Sequence, residues 1–115
     1  MESRDLTMSN PVYLIAQIDV KDYESYLSEY GFPLLEQLSE IGAEVLAADS
    51  SIEVLEGEWP GNWLAIIKFP SEAVMSEFYN SEKYSPLKAL RIEKLSKDGT
   101  VVTVPGFGNE EEGGS

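Results

Sequence analysis

The stretch VLEGEWPGNWLAIIKFPS, residues 54–71, decides the fold, together with FYNSEKY at residues 78–84 and Arg91 further along the chain. Its centre, Trp63 to Phe69, is an apolar run that predicts a β-strand between a Trp-Pro-Gly-Asn turn cluster and a serine suited to capping a helix. Apolar side chains occupy both alternating faces of this strand. Because a sheet face in water carries polar side chains, this pattern predicts that both faces of the sheet are buried.

The rest of the chain supplies three more strands and the helices between them. The predicted elements, in order, are strand Val12–Val20, a helical apolar stripe from Tyr23 to Ile41, strand Ala43–Ala48 with a continuation at Ile52–Leu55, strand Trp63–Phe69, a helix after Ser71, a short helix after Ser85, and strand Thr100–Val104 after an Asp98-Gly99 turn. This β-α-β-β-α-β order is typical of an α+β, ferredoxin-like fold, with an antiparallel sheet and helices on one face.

Local signals predict where the helices begin, bend and end. Asp22 can cap the first helix, and Ser85 before Pro86 has the pattern of an N-cap followed by a first-turn proline. Pro33 removes a backbone donor, so we expect a kink or two abutting helices there; the unbroken phase of the apolar stripe favours a kink. Gly42 then ends the helix in the left-handed conformation.

Two helices cover only one face of a four-stranded sheet, yet the second face is also apolar. Tyr13 and Ile15 of strand one join Leu64 and Ile66 of the third strand on that face. A second copy of the same sheet is the simplest cover for it. The sequence therefore predicts a homodimer in which two sheets pair as a dimeric α+β barrel.

Composition restricts the chemistry and the partners. The chain has 115 residues, enough for one domain, with no cysteine and no histidine. These absences exclude disulfides and thiolate chemistry and remove the commonest general base and the usual haem ligand. No glycine-rich phosphate loop or carboxylate cluster at metal spacing is present either, so we predict no metal and no other cofactor. A net charge of −13 would repel nucleic acid and anionic membranes, so neither is an expected partner.

The two ends of the chain lack apolar patterning. Residues 1–11 are polar, and residues 106–115 contain three consecutive glutamates and closing glycines. We predict disordered tails around a domain at residues 12–105. The sequence contains no membrane-spanning run and no secretory signal pattern, so a cytoplasmic location is expected.

Two polar residues of strand one lie on its otherwise apolar second face. Near a barrel lumen, Gln17 could orient a ligand through its amide, or it could simply meet water. For Asp19, closer to the strand end, contact with water is favoured. Tyr13, Tyr79 and Tyr84, with the helical pair Tyr23 and Tyr26, suit core or interface packing, and the alternative is a phenol that polarises a ligand carbonyl.

The Glu-Gly-Glu-Trp-Pro segment and Arg91 supply the other candidates. Gly57 suggests a bulge or a positive φ that re-aims its neighbours. Glu56 is either a base in a lumen or, as we favour, a strand-end glutamate that meets Arg91 or a partner amide. Trp59 is expected to cover a dimer seam rather than to stack on a ligand. Arg91 forms either a structural ion pair across the fold, which is favoured, or a fork with an anionic ligand.

In order and spacing, these residues resemble the family called domain of unknown function 1330, within the dimeric α+β barrel superfamily. The matching features are the strand-one text, Asp22 with Tyr23 and Tyr26, Pro33, Gly42, the Glu56–Pro60 segment, Phe69 with Ser71, Tyr79, Tyr84 and Arg91. One departure concerns the last strand, where the family often has an acidic residue before glycine and this chain has Val104-Pro105-Gly106. The resemblance implies a range of activities, because the superfamily includes cofactor-free monooxygenases, lactone isomerases and haem enzymes. The missing histidine argues against the haem enzymes.

Two classes of function stay open. One is binding or conversion of a small aromatic or apolar acid in the barrel, without metal or haem. The other is a non-catalytic dimeric binding or structural domain. For a ligand site at the barrel mouth, the candidates are Gln17, Glu56, Trp59, Tyr84 and Arg91.

Overall fold

A computed structural model describes residues 10–108 of the chain. The elements are β1 Val12–Val20, α1 Tyr23–Tyr26, a first π segment Leu27–Gly31, α2 Phe32–Glu40, β2 Glu44–Asp49, β3 Trp63–Phe69, α3 Glu72–Tyr79, α4 Ser85–Leu90, a second π segment Arg91–Leu95, and β4 Ser96–Pro105. Their order confirms the predicted β-α-β-β-α-β pattern. None of the helices in this part of the chain is long and apolar enough to cross a membrane.

The four strands form one antiparallel sheet in the order β2-β3-β1-β4, the ferredoxin-like arrangement. The helices form two runs, and both pack on the same face of this sheet. We call the run from α1 to α2 the first helical layer and the run from α3 to the second π segment the second helical layer. The core between sheet and helices includes Ile18 of β1, Phe69 of β3 and Leu38 of α2, all with almost no exposed surface. The α+β, ferredoxin-like fold expected from the sequence is therefore present.

The first helical layer follows one path through the predicted break at Pro33. Instead of separating into two helices, the backbone widens into the first π segment, and the N–H of Phe32 donates to the carbonyl of Leu27, five residues earlier. Pro33 itself has no N–H to donate, so a wider turn just before it avoids an unmatched carbonyl. The expected Gly42 signal is confirmed, since its φ is +76°.

Two of the three predicted helix caps are present, and one is wrong. Asp22 and Ser71 accept hydrogen bonds from Ser25 and Val74 N–H groups, as predicted. Ser85 does not cap α4; Tyr84 occupies the N-cap position without a capping side chain. The hydroxyl of Ser81 instead accepts from the Tyr84 N–H in the preceding turn.

The strand boundaries also differ from the prediction. Residues 52–55 do not continue β2 as a strand, and β4 begins at Ser96, earlier than predicted. The Asp98-Gly99 pair lies inside β4, because Gly99 and Asp98 pair with Ile18 and Asp19 of β1. An aspartate–glycine pair favours a turn locally, but the long antiparallel ladder with β1 overrides that preference.

Asn62 fixes the end of the loop between β2 and β3. Its amide accepts from the Val20 N–H at 2.7 Å and donates to the Val20 carbonyl at 3.0 Å. The side chain therefore replaces a missing strand partner for the last residue of β1. Tyr23 also donates from its hydroxyl to the Asn62 carbonyl at 2.9 Å, which ties the start of the first helical layer to the same loop.

The helix-free face of the sheet is apolar at its centre. Directly opposed residues of neighbouring strands share a face, and Ile15 is opposed by Ile66 on one side and Val102 on the other. Val102 and Val104 are about half exposed, at 50% and 46%. An apolar sheet face of this kind is expected to be covered, and a second copy of the sheet offers the matching surface.

The domain limits and tails stay a prediction. Of the predicted tails, residues 1–9 and 109–115 lie outside the described residues. At the edge of the described part, the Gly106 N–H donates to the Pro11 carbonyl at 3.1 Å and closes the ladder between the first and last strands.

A charge on the helix-free face, next to Ile15, should prevent the expected dimer from forming. We expect Val102→Lys to raise the dimer dissociation constant by about 100-fold or more, because a lysine buried without a partner costs several kcal/mol. Analytical ultracentrifugation measures the change. Ser39→Lys, at an exposed position of α2, is the control and should leave the dimer intact. A parent chain that sediments as a monomer at micromolar concentration would contradict the dimer.

Candidate functional site

A cavity of ≈ 200 Å³ lies between the sheet and the helical layers. Its floor is a row of small side chains, because Ala16 of β1 is opposed by Ala65 of β3, which is opposed by Ala48 of β2. Three alanines side by side leave space that larger residues would fill. Val101 of β4, opposed to Ala16, ends the row.

The first helical layer forms the roof and the opening of the cavity. Tyr30 and Gly31 of the first π segment line it, as do Phe32 and Leu35 of α2. Phe32 and Leu35 are 58% and 47% exposed, so the cavity opens to solvent beside α2. Two large apolar side chains at an opening favour an apolar entering group.

Arg91 supplies the charge of the cavity. It begins the second π segment, lines the cavity and is only 5% exposed. Within residues 10–108 it is the single charged residue of the lining. The two ion pairs of this part of the chain, Lys83–Glu40 and Lys94–Glu29, lie at the surface and do not involve it.

The partners of Arg91 are aromatic instead of acidic. Its guanidinium carbon lies 5.8 Å from the centre of the Tyr30 ring, within the range of a cation–π interaction. The predicted ion pair with Glu56 is not formed, because Glu56 is exposed in the loop between β2 and β3. Directly after the second π segment, the Ser96 hydroxyl donates to the Arg91 carbonyl at 2.7 Å and holds the backbone of that segment.

Two tyrosines, Tyr30 of the first helical layer and Tyr84 of the second, meet beside Arg91. The hydroxyls of Tyr30 and Tyr84 are 2.6 Å apart, in a buried hydrogen bond. Their rings are fixed by neighbours, since Tyr84 packs against Phe78 at 4.6 Å and Tyr79 at 5.6 Å between ring centres. This tyrosine pair is therefore held in a rigid aromatic surround.

Burial sets the protonation of the site. Burial raises the pKa of Tyr30 well above its usual value, and the neighbouring Tyr84 adds to the rise while Arg91 opposes it. Burial likewise raises the pKa of Tyr26 to about 12, against the opposing effect of Arg91. For Arg91, burial lowers the pKa, but the phenols of Tyr30, Tyr84 and Tyr79 more than offset this, and the net shift is upward. At neutral pH the cavity thus holds one cation and protonated phenols at Tyr26 and Tyr30.

The structure places only two of the five predicted site residues in this cavity. Tyr84 and Arg91 line it, while Gln17 lies on the opposite sheet face, in a shallow groove of ≈ 40 Å³ with Asp98 and Thr100. Glu56 is exposed. The five residues are therefore not brought together, and their joint role as a site stays a prediction.

Trp59 is half-buried in the loop between β2 and β3 and does not line the cavity. Its indole N–H is buried without a hydrogen-bond partner among residues 10–108. Two residues before it, Gly57 has the predicted positive φ, +82°.

Sequence reasoning missed Tyr30 and the alanine row. Tyr30 lies on the same helical stripe as Tyr26 and directly precedes the Gly-Phe-Pro break. The available signal was this break, because irregular π turns often carry functional side chains. The alanines at positions 16 and 65 are small residues within apolar strands. They indicate a cavity only once the register shows that they are opposed.

Metal chemistry has no donor set in the part of the chain described here. Within residues 10–108, no group of three or more acidic residues is close enough to hold a metal ion. The donors of the cavity are a guanidinium and phenols, which match oxygen anions and not cations.

The sequence matches the family described as domain of unknown function (DUF1330) over residues 11–107. The chain belongs to this family. The DUF1330 chain also resembles solved structures across nearly its whole length, and no curated protein sequence matches it. The protein RPA0582 of unknown function from Rhodopseudomonas palustris is 14% identical with a TM-score of 0.69, covering 92% of this chain and 95% of its own.

Two further solved structures share the fold of the DUF1330 chain. A dimeric ferredoxin-like protein of unknown function from Jannaschia sp. CCS1 is 10% identical with a TM-score of 0.61, covering 82% of this chain and 97% of its own. A putative antibiotic biosynthesis monooxygenase from Bacteroides thetaiotaomicron is 20% identical with a TM-score of 0.53, covering 85% and 90%. At these identities the likeness establishes the fold alone.

The raised pKa of Tyr26 predicts a loss of stability at alkaline pH. An unfolded tyrosine loses its proton near pH 10, whereas buried Tyr26 keeps it until about 12. Between these values the unfolded chain binds fewer protons, so stability is complete below pH 10 and falls as pH rises towards 12. Two pKa units correspond to roughly 3 kcal/mol.

Urea unfolding at pH 8 and pH 11 tests this pH dependence. Tyr26→Phe should weaken the alkaline loss relative to the parent. Tyr23→Phe removes a tyrosine that is 39% exposed in the same short helix and should keep the full loss. Equal pH dependence in both variants would show that the Tyr26 phenol is not the cause.

Proposed function

We propose that this DUF1330 protein binds a small organic anion, a carboxylate on an aromatic or short aliphatic body, in the cavity between sheet and helices of each protomer. The observation that carries the proposal is Arg91, a charged side chain buried against an apolar cavity without a carboxylate partner among residues 10–108. A buried ion is expensive unless it is paired. A ligand carboxylate is the partner that a guanidinium fits best, through two parallel hydrogen bonds.

The size and lining of the cavity support the rest of the ligand class. An engineered apolar cavity of about 150 Å³ binds benzene, so ≈ 200 Å³ suits one aromatic ring with a short acidic group. Alanine, valine and isoleucine side chains of the sheet and the aromatic roof offer no second charge to such a ligand. The exposed Phe32 and Leu35 provide an apolar entrance.

Conversion of the bound acid is a second candidate. It is supported by the tyrosine pair beside Arg91, which can donate a hydrogen bond to a developing oxyanion. Two structural neighbours, an antibiotic biosynthesis monooxygenase and a putative one, agree with small-molecule chemistry on this fold. A homodimer with paired sheets, supported by neighbours described as dimeric, is part of the same proposal. Gln17, Glu56 and Trp59 have no role in the proposed pocket.

Replacing Arg91 tests this function. We expect Arg91→Met to abolish binding of phenylacetate, measured by isothermal titration calorimetry, while the fold persists with equal or higher stability. The reason is that methionine occupies the buried site without a desolvation cost, and replacing buried ions by apolar residues is often neutral or stabilising. In the parent, phenylacetate at 100 times its Kd should raise the free energy of unfolding by about 2.7 kcal/mol.

Lys94→Met is the matched control for Arg91→Met. It removes one positive charge from the same π segment, but Lys94 is exposed and pairs with Glu29 at the surface. This variant should bind phenylacetate like the parent. If the parent fails to bind phenylacetate, benzoate and hexanoate alike, the proposed function is wrong. A large loss of stability in Arg91→Met would instead assign Arg91 a structural role.

A further inference from the structure

The tyrosine pair, Tyr30 and Tyr84, leaves one hydrogen-bond donor without an acceptor. Each phenol brings one O–H, and a guanidinium brings only donors. One O–H is used within the pair, across 2.6 Å. The second O–H cannot point back, because the first phenol already donates, and Arg91 has no acceptor to offer. Among residues 10–108 neither phenol donates to another acceptor, and the Arg91 side chain beside Tyr84 can only donate a hydrogen bond to it.

The unused O–H lies in the same cavity as the guanidinium. Tyr30, Tyr84 and Arg91 all line that cavity, and Arg91 lies over the Tyr30 ring. Tyr84 is 3% exposed and Tyr30 is 6% exposed, so little of either residue contacts bulk solvent. The cavity therefore presents two different donors side by side, a charged one for a carboxylate and a neutral one for a further oxygen.

We propose that the tyrosine pair recognises a second oxygen next to the ligand carboxylate, so that the site prefers 2-oxo acids over acids that lack this oxygen. This selectivity rests on the proposed binding function and adds its substrate class. A ligand with a single carboxylate has to share its oxygens between Arg91 and the phenol proton, and it offers the phenol no acceptor of its own. A 2-oxo acid satisfies both donors at once, since its carbonyl lies on the carbon adjacent to the carboxylate.

The packing of the tyrosine rings fixes where their hydroxyls lie in the cavity. Tyr84 is held by Phe78 and Tyr79, and Tyr30 by Tyr26 at 5.2 Å between ring centres. Rings restrained from several sides keep their hydroxyls in place without the ligand, which lowers the entropy cost of binding. A site built to hydrogen-bond an oxygen discriminates against analogues without it, because its polar group is then left unpaired.

The test compares two acids that differ only in this oxygen, benzoylformate and phenylacetate. In the parent, we expect benzoylformate to bind about five-fold more tightly or better, which is the range of one net hydrogen bond. In the double variant Tyr30→Phe/Tyr84→Phe the ratio of the two affinities should fall to about one. The double variant removes both partners of the buried Tyr30–Tyr84 hydrogen bond and keeps both rings, but Arg91 loses the phenol oxygens beside it. Circular dichroism therefore checks that the fold persists.

Tyr23→Phe is the matched control, since its hydroxyl bonds the Asn62 carbonyl outside the cavity, and it should keep the parent ratio. Equal affinities of the parent for the two acids, or a preference that survives in the double variant, overturns the inference while leaving the proposed function intact. Failure of both acids to bind the parent refutes the proposed function and the selectivity together. If circular dichroism shows the double variant unfolded, the single variants replace it, and a preference kept by both overturns the inference.

Discussion

Desolvation of the Arg91 guanidinium is the constraint around which the helix-covered half of this molecule is arranged. Removing an ion from water costs several kcal/mol, and a carboxylate partner would normally offset part of it. Here the offset among the described residues comes from weaker sources, the face of the Tyr30 ring and the phenol oxygens around it. The protein thus accepts a charge in its core whose desolvation is only partly offset.

Both π segments supply side chains to the cavity. In the first, Tyr30 and Gly31 line the cavity just before the proline that interrupts the helix. In the second, Arg91 enters the cavity at the start of the wider turn, and the Ser96 hydroxyl closes it from the other end. A π turn rotates the residues that follow relative to an α-helix, so it re-aims side chains without ending the helix. Each π segment therefore places one polar side chain of the pocket, Tyr30 in the first and Arg91 in the second.

Prediction from sequence worked where a signal is local or periodic. The alternation of Val12 to Val20, the capping role of Asp22 and the left-handed Gly42 were all readable in this way. It failed where long-range register decides the outcome, as at Asp98-Gly99, whose turn preference yields to pairing with β1. In the site, Arg91 and Tyr84 could be predicted from the sequence, because they stand out by residue type. The alanine row and the contact of Tyr30 with Tyr84 exist only once strands and helices are brought together.

The alternation of β1 separates two roles by a single residue step. Leu14 and Ala16 face the helices and the cavity, whereas Ile15 faces the helix-free side, opposed by Ile66 and Val102. A partner sheet on that side would leave the entrance at Phe32 uncovered, because the entrance opens beside α2 on the other face. Each protomer then carries a complete pocket of its own. Coupling between the two pockets of a dimer would have to pass through the backbone of the sheet, whose close packing resists small displacements.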